Sequence, residues 1–431
     1  MATGRAASNL YYMNAGPTKV TIVGGGVAAL EALIALRHLA EERVALELIT
    51  PKADWAYRPL AVAEPFGLGE AKTYDLVQIA RDHGAALHLA GVQSVDTGAR
   101  RLTTWDGREL SYEILLVAVG TQPTVAVPGS ISLKGPGYTG RFRSVLRELD
   151  QRRIRRVAFA VPAGASWPLP LYELALMTAA HAKERGLRKL ELSIVSPEAE
   201  PLQIFGAAAS TAVRELLAER GVEFQGGRYP SEVRDGELVV VPGPNVPAQR
   251  VVSLPRLHGP FLPDLPHDLE GFIPTDLHGL VEGETDVYAA GDATTCPIKQ
   301  GGVATQQADA AAEAIAARLG APVEPRQFRP VLRGLLLTGG APEFMRAEVA
   351  GGADQPAVAS TSALWWPPSK IAGRWLAPYL AQRHDELEHE PAGLRVEAEA
   401  PFPAARRALI GRDAAGRPGL APVDPIMPGK R

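Results

Sequence analysis

Six residues, Gly24-Gly25-Gly26-Val27-Ala28-Ala29, constrain this chain more than any others, because they join two segments of different periodicity through a turn with almost no side chains. Before them, Lys19 to Val23 is a short β-branched and apolar run. After them, Val27 to Leu39 is rich in Ala and Leu. The pattern predicts a strand, a tight turn and a helix. A second apolar run, Val44 to Ile49, is stopped by Thr50-Pro51, which completes a βαβ unit and predicts a parallel sheet.

The cycle then repeats. From Ala86 to Val119 short alternating runs surround a turn at Trp105-Asp106-Gly107 and end in the apolar stretch Ile114 to Val119, which predicts an antiparallel insertion returning to the sheet. Arg156 to Val161, the helical stretch Leu171 to Glu184 and the run Leu190 to Val195 make a second βαβ unit. A third apolar run, Asp286 to Ala290, leads through Gly291-Asp292 into an Ala/Gln-rich helix over Val303 to Leu319. Strands are expected around Leu335 to Thr338 and Phe344 to Val349, followed by an aromatic and proline-rich stretch from Leu364 to Leu380.

The chain has 431 residues, enough for two or three domains with a large core. A net charge of -3 gives no basic excess, so nucleic acid is not an expected partner. The single cysteine, Cys296, excludes an internal disulfide and any shuttle of electrons through two thiols of one chain. No run approaches the roughly 18 apolar residues that span a bilayer, and the first fifteen residues lack the apolar centre of a signal peptide. The expected location is therefore the cytoplasm, including the inner face of a membrane as a peripheral protein. The acidic run from His384 to Glu390 has no metal-ligand spacing, and no metal is expected.

The glycine turn fits G-x-G-x-x-A. The first glycine permits the turn, the second lets a pyrophosphate approach the backbone, and Ala29 lets helix and strand pack closely. The helix start adds free N–H groups and a positive dipole end for phosphates. An acidic residue is expected at the end of the second strand to hold a ribose, but Thr50 stands there, and a neutral hydroxyl makes weaker hydrogen bonds than a carboxylate. Glu47 reads as a solvent-facing strand residue. Two further strand ends carry signals: Ile114 to Val119 is stopped by Gly120-Thr121-Gln122-Pro123, and Asp286 to Ala290 delivers Asp292 to the carboxyl edge of the sheet, where ligands of parallel sheets bind.

In this order and at these separations, the three motifs resemble the two-dinucleotide-binding-domain flavoproteins, the pyridine nucleotide-disulfide oxidoreductase superfamily, over roughly Lys19 to Leu380. The phrase Gly271-Phe272-Ile273-Pro274-Thr275-Asp276 adds to the match. The resemblance implies an α/β fold of two Rossmann-like three-layer domains, binding FAD and NAD(P), plus a small C-terminal α+β domain. It implies a leader over 1–16, a discontinuous FAD domain over 17–128 and 262–325, an NAD(P)-like domain over 129–261, an interface domain over 326–400 and a tail over 401–431. FAD contacts are implied at Gly24, Gly26, Val27, Ala28, Thr50, Arg58, Ala118, Gly120, Thr121, Gly291, Asp292, Lys299 and Gly302.

Within the superfamily, Trp55-Ala56-Tyr57-Arg58-Pro59-Leu60 looks like the aromatic-x-x-Pro-Leu segment of type II NADH dehydrogenases and sulfide:quinone oxidoreductases. Val303-Ala304-Thr305-Gln306-Gln307 is similar to the helix that there faces flavin and quinone. The chain departs from both: Gly302 replaces the dehydrogenase's first glutamine, and the sulfide enzyme's catalytic cysteines are absent. Pro297-Ile298-Lys299-Gln300-Gly301 resembles the Pro-Lys-x-Gly stretch of sulfide enzymes, which implies a catalytic cation at Lys299 that stabilises negative charge on the flavin. The alternative is a solvated loop lysine. Cys296 reads as a packing thiol or a redox group.

The second βαβ unit is the expected NAD(P)H site, yet its turn reads Pro162-Ala163-Gly164-Ala165-Ser166-Trp167-Pro168-Leu169-Pro170. One glycine remains, and the indole and prolines obstruct a pyrophosphate and remove N–H donors. This argues for a reductant other than NAD(P)H. Glu173 keeps the family's Glu-Leu-Ala glutamate and is the second catalytic candidate, while Glu198 is a ribose ligand or a surface carboxylate. Trp365, Trp366 and Trp375 read as a membrane-contacting segment or as an interdomain or homodimer core. The expected function is a two-electron transfer through FAD from NAD(P)H or another reductant to a quinone or small acceptor. The alternatives are sulfide:quinone chemistry without the usual cysteines and a non-catalytic flavin-bearing binding module.

Overall fold

The computed structural model describes residues 16–134, 137–339 and 370–383, together with the backbones of the strands Met345–Ala347, Ala357–Ala359 and Gly393–Glu399. Two five-stranded parallel sheets dominate it. In the first, the strand Thr18–Val23 is central. Val44–Thr50 and Ala85–Leu89 lie on one side of it, and Ile114–Val117 and Val287–Ala289 on the other. In the second, Arg156–Ala160 is central, with Glu191–Val195 and Val222–Gln225 on one side and Arg250–Ser253 and Ile131–Ser132 on the other. Four strands of each sheet follow the same order, but the fifth, at the edge, comes last in the chain in the first sheet and first in the second.

Both are covered on two faces, which is why their strands read as continuous apolar runs while their side chains still alternate. Along Arg156–Ala160, Val157 and Phe159 point into the core made with the helices Tyr138–Asp150, Leu169–Glu184 and Ala207–Glu219. Ala158 and Ala160 point the other way, against Leu238, Val240 and Val246 of the antiparallel strands over 229–247. In the first sheet Val20 and Ile22 face the helices Val27–Ala40 and Gly301–Arg318, while Val23, Ile49 and Leu115 face the meander over 92–111. Each meander comes directly before the strand that pairs beside the central one, Ile114–Val117 in the first sheet and Arg250–Ser253 in the second. The predicted antiparallel insertion is present but begins at Val92, because Ala85–Leu89 is a parallel strand of the sheet itself, and it has a counterpart in the second unit that the sequence reading passed over.

The chain crosses between the units along a two-stranded ribbon, Gln122–Val125 against Pro255–His258. Beyond the second crossing it returns to give the first sheet its edge strand and the helix Gly301–Arg318. The C-terminal strand Val331–Leu337 pairs antiparallel with Gly393–Glu399 and packs on the helix Leu169–Glu184. Gln306 fastens it to the first unit, donating to the carbonyl of Val331 at 2.9 Å and accepting from its N–H at 2.8 Å.

Glu47 is a partly covered residue in the middle of its strand, ion-paired to Lys19 at 3.0 Å and accepting from the Thr21 hydroxyl, so the purely solvent-facing expectation is corrected. Trp365 and Trp366 lie outside the described residues. Trp375 stacks on His38 with centroids 4.8 Å apart, so its indole is used against the helix Val27–Ala40. Among the described residues no helix is long and apolar enough to cross a membrane.

Candidate active site

The carboxyl ends of the first sheet open onto a cleft of about 940 Å³, and the turn at Gly24 sits on its floor. Gly24 has φ +132°, its N–H donates to the carbonyl of Ile49 at 2.8 Å, and a Cβ there would stand 2.2 Å from the carbonyl oxygen of Ala118. The turn is wedged between the ends of two neighbouring strands, and only glycine fits. Gly26 differs, since nothing lies within 4 Å of a Cβ built on it. It caps the helix Val27–Ala40 without any side-chain hydrogen bond, so the helix presents its first-turn N–H groups and dipole to open space. An uncapped helix end above a glycine that leaves the cleft clear fits a pyrophosphate.

Of the residues singled out from sequence, Gly24, Gly26, Val27, Thr50, Arg58, Gly120, Thr121, Glu173, Asp292 and Lys299 all line this one cleft. Ala28, Ala118, Gly291 and Gly302 do not; they stand behind its wall. Gly291, at φ +79°, lies so near the first helix that a Cβ would be 2.8 Å from that of Ala28. Its N–H donates to Gln307 Oε1 at 2.8 Å, which also accepts from the Thr294 hydroxyl. Small residues at 28 and 291 thus bring the carboxylate of Asp292 to the cleft from behind its wall.

Lys299 is buried. Its ammonium lies 3.8 Å from the centroid of the Phe272 ring and donates to the carbonyl of Thr294. Burial brings it down to about 8, against the pull of Asp292. Asp292 is pushed up by burial, with the Lys299 charge opposing. The reading of Lys299 as a solvated loop lysine is therefore corrected, because its chain runs inward beneath Phe272. Cys296 is buried too, but its thiol is turned to the carbonyl of Ile298 at 3.8 Å and it does not line the cleft.

At the far end of the cleft, Glu173 is fully buried and bonded to Lys370 Nζ at 2.7 and 2.9 Å. It also accepts the N–H of Leu337 at 2.9 Å, and Lys370 donates to the carbonyl of Pro59 at 3.0 Å. Burial outweighs the attraction of Lys370 and leaves the Glu173 carboxyl above its ordinary range. Sequence reasoning missed Lys370. A lysine 197 positions downstream, next to a tryptophan-rich stretch, carries no local sign of its partner. The segment that follows is a strap. Ile371 N–H donates to the Tyr57 hydroxyl, Thr305 to the carbonyl of Ala372, and Trp375 and Leu376 N–H to the buried carboxylate of Glu31.

The second unit's turn carries Trp167 and prolines where further glycines were expected. Trp167 stands edge-on to Phe205, with centroids 5.4 Å apart, and lines the main cleft together with its neighbours Leu169 and Pro170. Glu198, at the strand end where a ribose ligand or a surface carboxylate was expected, is buried and turned inward. The hydroxyls of Tyr172 and Ser196 donate to its Oε2 at 2.7 and 3.0 Å. Burial raises it from 4.5 to about 7. Over that interval the folded state keeps a proton that the unfolded chain has released, so stability is full below pH 4.5 and falls as pH rises to 7. Glu198→Gln should abolish this slope and leave the protein more stable at pH 8 by up to about 3 kcal/mol. Urea midpoints of both proteins at pH 5 and 8 check this, and parallel losses would refute it.

A family model described as pyridine nucleotide-disulphide oxidoreductase matches residues 18–312. A sulfide-quinone reductase of Aquifex aeolicus is 25% identical over 259 residues, which are 56% of this chain and 59% of that protein; the chain thus spans about three fifths of this curated relative. Among solved structures, the sulfide:quinone oxidoreductase of Aquifex aeolicus superposes with a TM-score of 0.68 at 21% identity, covering 75% of this chain and 82% of the other. NDH2 of Plasmodium falciparum gives 0.54 at 14%, covering 64% of each chain. A ferredoxin reductase from Rhodopseudomonas palustris gives 0.58 at 19%, covering 73% and 79%.

Proposed function

The chain belongs to the pyridine nucleotide-disulphide oxidoreductase family, and from that premise we propose that it is an FAD-dependent oxidoreductase that passes two electrons through the flavin to a quinone or small acceptor, from a donor other than NAD(P)H. One observation carries this reading. The open end of the glycine turn, the Asp292 carboxylate, the buried Lys299 and the Glu173–Lys370 pair all face a single cleft.

FAD, when bound, accepts and releases the electron pair. The chain's residues do the rest. The N–H groups after Gly26 would hold the pyrophosphate, and Asp292 would accept hydrogen bonds from the ribityl hydroxyls. Lys299, positive and shielded from water, favours negative charge at its end of the cleft. Glu173, held above its ordinary range, takes and returns a proton at Oε2, with Lys370 fixing its orientation.

The donor follows from the second unit. Trp167, Pro162 and Pro168 stand in the turn that would take a dinucleotide, and Glu198 is engaged with Tyr172. The match to a sulfide-quinone reductase favours a second reading, sulfide as donor. With Cys296 buried away from the cleft, that reading requires sulfur to be released to an acceptor in solution instead of being built up on the chain.

Spectra of the purified protein, followed anaerobically through additions of NADH, NADPH and sulfide and then a short-chain quinone, test the proposal. The visible bands should persist with both nicotinamides and bleach with a productive donor, and quinone should restore them. Bleaching by NADH or NADPH would remove the donor assignment. A colourless protein that takes up no FAD would remove the whole reading.

A further inference from the structure

Trp105 is 69% exposed, which is costly for so large an apolar side chain, yet its backbone is held firmly. Its N–H donates to the carbonyl of Gly91 at 2.8 Å, and the turn around it is closed by Gly107 N–H to Thr104 at 2.9 Å. Asp106 ties the same turn together by accepting from the Thr104 hydroxyl and from Arg108 Nε. The indole lies directly over Gly91, where a Cβ would come within 2.3 Å of its Cδ2. The loop thus fixes a flat aromatic surface that the protein's own core does not use.

That surface lines the cleft at the end formed by Thr50, Lys52, Ala90 and Gly91. In sites of this topology the pyrophosphate lies at the glycine turn and the adenosine ribose at the end of the second strand. Here that strand ends at Thr50, so a purine attached to that ribose would extend toward the end of Ala85–Leu89, where Trp105 lies over Gly91. A threonine grips a ribose more weakly than a carboxylate does, and stacking on an indole can make up the difference.

We propose that Trp105 is the adenine platform of the cofactor site, its exposed indole face stacking on the purine and replacing the grip of the missing ribose carboxylate. The inference rests on the FAD reading and adds a residue to it. Its test is a set of titrations of the full-length chain freed of flavin, with FAD, ADP and FMN as separate ligands. Trp105→Ala should weaken FAD and ADP alike by about 10- to 100-fold, the range of one base–aromatic stack. FMN, which lacks the adenylate, should bind unchanged, and this arm also shows that the variant is folded. Trp105→Phe, which keeps a ring, should recover most of the loss. Equal weakening of FAD and FMN by both variants, or an unchanged ADP affinity, would overturn the proposal. Wild-type protein that binds FMN but neither FAD nor ADP would overturn it together with the FAD reading.

Discussion

Gly24→Val is expected to give a protein that retains no flavin and loses at least about 3 kcal/mol of stability. Two costs add at this position. The residue holds φ +132°, a conformation that a β-branched side chain cannot adopt without strain, and its Cβ would overlap the Ala118 carbonyl. Relief requires the turn to move off Ile49 and Ala118, and that movement also displaces the helix start at Gly26. Flavin absorbance per polypeptide and a thermal melt of the same preparation read both effects. Gly26→Ala is the contrast. The space around it is open, so the fold should stay near wild type while FAD affinity falls. A Gly24→Val protein with full flavin and unchanged melting would show that the turn is not wedged as described.

Lys370→Met should be nearly as damaging through a different physical cause. Glu173 is 0% exposed and Lys370 5% by side chain, so removal of the ammonium strands a carboxylate in the interior. Breaking such a pair typically costs about 3–5 kcal/mol. The deficit should shrink at acid pH, where Glu173 takes up a proton and the buried charge disappears; this follows from a carboxyl already held above its ordinary range. Glu173→Met combined with Lys370→Met should recover much of the loss, because no unpaired charge remains. Denaturant midpoints of the two single variants and the double variant at pH 5 and 8 settle the matter. A double variant as unstable as the sum of the singles would mean that the pair is not coupled.

What the sequence revealed and what it hid divide along a physical line. The glycine turn, the strand end before Gly120 and the Gly291-Asp292 turn were legible because each is a local signal. A run of apolar residues stops at glycine or proline, and backbone geometry dictates where the chain goes next. Thr50 was legible from its place at the end of the second strand, whereas Arg58 and Lys299 were legible only through the resemblance that the order of those motifs carries. Lys370, Gly91 and Trp105 were not found, because their significance depends on which distant element lies opposite. Nothing near Gly91 announces that an indole from Trp105 will lie across it. Glu198 shows the reverse failure, for a polar residue at a strand end reads as exposed until Tyr172 is seen to cover it.

The winding of the chain also fixes when the site can exist. The strands over 18–117 emerge from the ribosome first, but the first sheet's edge strand Val287–Ala289, the carboxylate of Asp292 and the covering helix Gly301–Arg318 come only after the whole second sheet has been made. During synthesis the second unit therefore has all its strands before the first has its last one. The glycine turn waits, half walled, for a partner encoded more than half a chain away. FAD capture is accordingly a late event of biosynthesis, and chains truncated before Asp292 should leave the ribosome unable to hold the cofactor, however well their second unit has folded.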